Sequence, residues 1–138
     1  MASKQFIELL QQLHETGEKK PLRWEPIRRK YDSLRCDFCL ALGGGVIHLV
    51  GNDSDDMHWT ASVKAYLMTR DGLLVDEYEA KQNETLLFET MFNLFIQARD
   101  AAFNLPRMIE DIRSDLIAGK TRELPEKLVR PDESDIPF

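Results

Sequence analysis

Leu34-Arg35-Cys36-Asp37-Phe38-Cys39-Leu40-Ala41-Leu42-Gly43-Gly44-Gly45-Val46-Ile47-His48-Leu49-Val50 is the stretch that decides the fold class. Leu34, Cys36, Phe38, Leu40 and Leu42 alternate with Arg35, Asp37, Cys39 and Ala41. Period two sustained over the whole segment places the apolar set on one face of an extended strand. Gly43-Gly44-Gly45 then permits the positive φ angles of a tight hairpin, and Val46 to Val50 returns as the partner strand.

The same pattern continues on both sides. Gly51-Asn52-Asp53-Ser54-Asp55-Asp56 reads as a polar turn. A long strand follows, with Trp59, Ala61, Val63, Ala65 and Leu67 on one face and His58, Thr60, Ser62, Lys64, Tyr66 and Met68 on the other. Asp71-Gly72 signals a further hairpin, after which Leu73, Val75 and Glu77 alternate with Leu74, Asp76 and Tyr78. Upstream, Leu22 to Glu25 reads as a short strand that Pro26 ends or confines to an edge. Four strands, five with Leu22–Glu25, form a meander with one face buried and one wet, as antiparallel sheets allow.

Helices flank this sheet. Ser3 to Thr16 carries Phe6, Ile7, Leu9, Leu10 and Leu13 at helical spacing, with Ser3 as N-cap and Gly17 as the stop. Residues 83–104 form a long helix, capped by Asn83, whose polar positions Glu89, Asn93, Gln97 and Asp100 make one narrow stripe. One sheet face covers only one side of such a helix, so a second covering surface is expected. Pro106 suits the first turn of a shorter helix with Met108, Ile109, Ile112, Leu116 and Ile117 on its apolar face, stopped by Gly119. Whether Leu105-Pro106 breaks the chain or kinks one helix stays open. The expected architecture is α+β: an N-terminal helix, an antiparallel meander of four to five strands, then one long apolar helix and a shorter C-terminal helix packed on the sheet. Residues 1–119 form the single domain, and 120–138, with three prolines, an extended or disordered tail.

Composition narrows the function. The chain has 138 residues, 43% hydrophobic and 30% charged, which is globular. Glu89, Thr90, Asn93 and Gln97 interrupt the most apolar stretch, so no membrane span is expected. Residues 1–6 lack a secretory pattern, and a cytoplasmic location is expected. A net charge of −6 argues against a general nucleic-acid binder, despite the basic residues Lys19, Lys20, Arg23, Arg28, Arg29, Lys30 and Arg35.

Four features invite chemistry and fail on spacing. Cys36-Asp37-Phe38-Cys39 lies within a strand, where residues three apart face opposite ways, so the thiols share neither a disulfide nor a metal. Gly43–Gly45 joins strand to strand, whereas phosphate-cradling loops lead into a helix. Asp53, Asp55 and Asp56 lack the alternation and final glutamate of a helix–loop–helix calcium site. His14, His48 and His58 stand in no catalytic motif. No catalytic, cofactor-binding or metal-binding residue is assigned, and no cofactor is expected. The wet face is the candidate for partner binding, through His58, Thr60, Lys64 and Tyr66, with Tyr78 joining them.

Leu22-Arg23-Trp24-Glu25, the Gly43–Gly45 turn and Asp71-Gly72 give residues 3–118 a layout that resembles small stand-alone bacterial domains of helix, meander and closing helix. That resemblance implies a fold and no activity. In size, acidity and mixed element order the chain also resembles class I type III secretion chaperones, which place a helix in mid-sheet where this chain has its acidic turn. That resemblance implies a dimer holding a partner segment. The expected function is a non-enzymatic protein–protein interaction or adaptor domain, a homodimer or a subunit of a complex. The rival is a small-ligand binder or enzyme using the wet face.

Overall fold

The computed structural model describes residues 3–29, 36–53, 60–82 and 87–125. The chain is α+β. An N-terminal helix, α1 (Lys4–Lys19), precedes five strands: β1 (Glu25–Arg28), β2 (Cys36–Leu42), β3 (Gly45–Asp53), β4 (Thr60–Met68) and β5 (Leu74–Lys81). Two helices follow, α2 (Phe88–Phe103) and α3 (Leu105–Ala118). All neighbouring strands pair antiparallel in sequence order, β1 to β5, which is the expected meander. Met1–Pro106 is one compact unit and Arg107–Phe138 a second.

α1 forms where its cap and periodicity place it. Ser3 is extended, and its Oγ accepts from Phe6 N at 3.2 Å. Phe6, Leu10, Leu13 and Gly17 recur at helical spacing and are buried. Gly17 is therefore not the stop. The helix runs on to Lys19 and ends where Lys20 turns extended just before Pro21. Gly17 instead lies at the crossing with α2, where a Cβ would meet the Gln97 side chain.

The strand after α1 also shifts. Trp24 is buried in the core, and β1 spans Glu25–Arg28 rather than Leu22–Glu25. Pro26 still confines it to an edge, since β1 pairs with β2 alone. The two-residue turn between Leu42 and Gly45 uses no positive φ at Gly43 or Gly44. The glycine under constraint is Gly45, where a Cβ would stand 2.7 Å from the Met68 carbonyl oxygen. At the β4–β5 hairpin Gly72 does adopt positive φ, 91°, as Asp71-Gly72 foretold.

The core lies between one sheet face and the α1–α2 layer. Phe38, Leu40, Ile47, Leu49, Val63, Ala65 and Ala80 come from the sheet, and Met91, Leu94 and Ala98 from α2. Phe95 and Phe103 meet Phe38 edge-on, at centroid distances of 5.3 and 5.9 Å. Burying each large apolar side chain contributes about 1.5–3 kcal/mol. The second cover for α2 is α1, which joins the same core through Phe6, Leu10 and Leu13. Gln97 Nε2 ties the two helices by donating to His14 O at 3.2 Å.

α2 begins at Phe88, and the expected cap Asn83 lies outside the described residues. Asn104, left-handed at φ 48°, ends it, so Leu105-Pro106 opens a new helix rather than kinking one. α3 stops where expected. Gly119 has φ 67°, Gly119 N donates to Leu116 O, and Lys120 N donates to Asp115 O, the paired bonds of a glycine-terminated helix. No residue of α3 is buried. Of the tail, residues 120–125 carry no regular structure, and the remainder lies outside the described residues.

Candidate interaction face

The sheet face away from α1 and α2 carries the candidate residues. Directly paired residues on neighbouring strands share a face, so the register sorts this one into transverse rows. Ala41, Val46, Met68 and Leu74 form an apolar row at the hairpin end. Glu25, Cys39, His48, Tyr66 and Glu77 form the next row, crossing all five strands. Ile27, Asp37, Val50, Lys64 and Glu79 form a third. Beyond them Asn52 Nδ2 donates to Ser62 Oγ at 3.3 Å.

One polar cluster on this face is tightly organised. Arg29 Nε donates to Asp37 Oδ1 at 2.7 Å, and Arg29 Nη2 to the Gly51 carbonyl at 2.5 Å. Asp37 Oδ2 lies 3.1 Å from His48 Nε2. Which of the two groups donates in this contact follows from the imidazole tautomer. The His48 ring tilts against Tyr66 at a centroid distance of 5.8 Å. Lys64 Nζ stands 5.8 Å from the Tyr66 ring centroid, and Tyr66, followed by Glu79, raises the lysine pKa above its ordinary value.

A histidine oriented by a carboxylate opposite a cysteine invites comparison with nucleophilic catalysis. The electrostatics oppose it. Burial, then the Asp37 and Glu25 carboxylates, push the Cys39 thiol up to about 11, so it stays protonated at neutral pH and is a poor nucleophile. Cys36 faces the core, both cysteines are free, and the two point to opposite faces as their spacing requires. Among the described residues no group of three or more histidine, cysteine or acidic side chains can hold a metal ion. A cleft of about 580 Å³ lies elsewhere, lined by Gly17, Pro21, Ile96 and Asp100 among others, and none of His48, Lys64 or Tyr66 reaches it.

Of the residues singled out from the sequence, Lys64 and Tyr66 stand side by side on the open face. Thr60 pairs with Asp53 beyond a register shift in β4, its side chain lying outside the described residues, as does all of His58. Tyr78 is not with them. It pairs with Ala65, packs against the core, and burial raises its pKa. Asp37, His48 and Arg29 went unrecognised as a group. A two-residue turn at Gly43-Gly44 places Cys39 against His48 and Asp37 one step diagonal, so the turn length was the usable signal. No family model matches the chain, and neither does any curated protein or solved structure. No helix among the described residues is long and apolar enough to cross a membrane.

Proposed function

We propose that this chain is a non-enzymatic protein-interaction module, cytoplasmic in location, that receives a partner protein on its open sheet face. The supporting observation is the graded character of that face. Its apolar row at the hairpin end adjoins His48, Tyr66 and Lys64, the amphipathic side chains that suit interface cores and rims. Glu77 and Glu79 line the β5 flank, so the fitting partner presents aliphatic side chains to Val46, Met68 and Leu74 and basic ones to β5. A chaperone-like holder of a partner segment would use the same chemistry. The Asp37–His48 contact supports an enzyme as the second reading, weakened because burial and the Asp37 and Glu25 carboxylates keep the Cys39 thiol protonated at neutral pH.

The test compares proteins retained from native extract by the intact chain, by Met68→Glu, by Lys64→Glu and by the control Glu8→Ala on the exposed face of α1. A partner held by the first and last and released by both face variants is the expected result. Equal retention by all four, or no specific partner at all, overturns the reading.

A further inference from the structure

We propose that α3 pairs antiparallel with α3 of a second copy of this chain about a two-fold axis. This contact is separate from the sheet face and does not depend on its role. Leu105, Ile109, Ile112 and Leu116 follow one another at intervals of four, three and four residues. That interval pattern is the seam one helix presents to another. The stripe reads the same from both ends: leucine, isoleucine, isoleucine, leucine. Laid antiparallel with the axis between Glu110 and Asp111, Leu105 meets Leu116 of the second copy, and Ile109 meets its Ile112. Symmetry repeats both contacts, so one patch serves both partners in four apolar layers.

Three further observations select this occupant. Ile109 is 45% exposed, Ile112 54% and Leu116 72%, whereas the comparable stripe of α1 is buried. Beside the seam, Met108 lies level with Asp115 of the second copy and Pro106 with its Arg113, so no like charges oppose each other. α3 also has no acidic residue in its first turn and no basic residue in its last, leaving its dipole uncompensated at both ends. Antiparallel pairing sets each positive end beside a negative one. The helix is about 21 Å long, which gives a contact well short of a standard interface and hence a weak, concentration-dependent dimer.

Sedimentation equilibrium of the full chain from about 10 μM to about 1 mM tests this over the range of weak affinities. A reversible monomer–dimer equilibrium is expected, with Ile112→Glu weakening it at least about tenfold, the effect of burying one unpaired charge. Circular dichroism should show Ile112→Glu as helical as the parent, since the side chain is exposed. An equimolar mixture of Ile109→Lys and Ile112→Glu chains should associate more tightly than either alone, because the pairing sets these positions opposite each other. A parent that stays monomeric throughout, an Ile112→Glu chain that dimerises like the parent, or a mixture no tighter than its components would each overturn the proposal.

Discussion

Gln97 lies across Gly17 so closely that a Cβ on the glycine would stand 2.0 Å from Oε1. The same side chain donates through Nε2 to His14 O, while Oε1 is buried without a partner in the described structure. The absence of a side chain at Gly17 is thus what lets α1 seat against α2. A glycine inside a helix costs about 1 kcal/mol relative to alanine, and the close crossing offsets that cost.

The pair can be separated by a double-mutant cycle. Gly17→Ala alone should destabilise the chain by about 1–2 kcal/mol, because Gln97 must give up its place and its bond to His14. In a Gln97→Ala background the same change should stabilise by about 1 kcal/mol, the helix-propensity gain with the obstruction gone. Urea denaturation of the four chains measures this. The same sign in both backgrounds would refute the steric account.

Asp37 should matter for stability even if no partner ever uses it. Its two oxygens serve Arg29 and His48, all three side chains being less than a quarter exposed. Asp37→Ala leaves a guanidinium and an imidazole without their acceptor, a loss expected to cost about 1–3 kcal/mol. Arg29→Lys should lose part of that, since an ammonium cannot span both Asp37 and the Gly51 carbonyl with a planar fork. Urea midpoints at unchanged slope would register both effects.

Cys39 carries a pH prediction with a definite sign. Its folded pKa is raised from 9.0 to about 11, so the folded chain holds the thiol proton more tightly than the unfolded chain does. The associated stability is fully present below pH 9 and declines as pH rises from 9 towards 11. Cys39→Ala should flatten that part of the stability–pH curve. Alkylation of Cys39 in the folded chain, followed by peptide mass mapping, should likewise reach half its maximal rate near pH 11. A midpoint near 9 would show the thiol to be free of Asp37, Glu25 and burial alike.

Two leucines should bracket the energetics of packing. Leu94 is fully buried at the centre of α2, and Leu94→Ala should cost about 2–5 kcal/mol. Leu74 is 58% exposed on the open face, and Leu74→Ala should change stability by about 0.5 kcal/mol or less. Thermal or urea unfolding of both variants decides. Comparable losses would mean that the open face is covered in the free chain.

Period two in residues 34–50 and 58–68 revealed the meander because one face of each strand must be apolar and the other is free not to be. That property is local, so Lys64 and Tyr66 could be put on the open face without knowing any neighbour. Register is not local. The diagonal contact from Asp37 to His48 depends on the number of residues spent in the turn, and three glycines left that number open. Tyr78 was misplaced for a related reason. β5 shifts register opposite Leu67 and Met68, so alternation counted from Leu73 loses its phase against β4. Gly17 shows a different ambiguity, because a glycine near a helix end serves equally as a terminator or as a point of close approach. Its partner Gln97 lies too far along the chain for spacing to tell the two apart.

The meander also fixes an order of events. Each strand pairs only with its neighbour in sequence, so the sheet can assemble through short loop closures as the chain emerges. α1 has no such neighbour, since its seat is completed by Gln97, far down the chain. α1 precedes the strands in the chain, yet it is among the last of these elements to find its place. Until α2 has been made, the apolar stripe of α1 lacks the helix that it packs against in the folded chain.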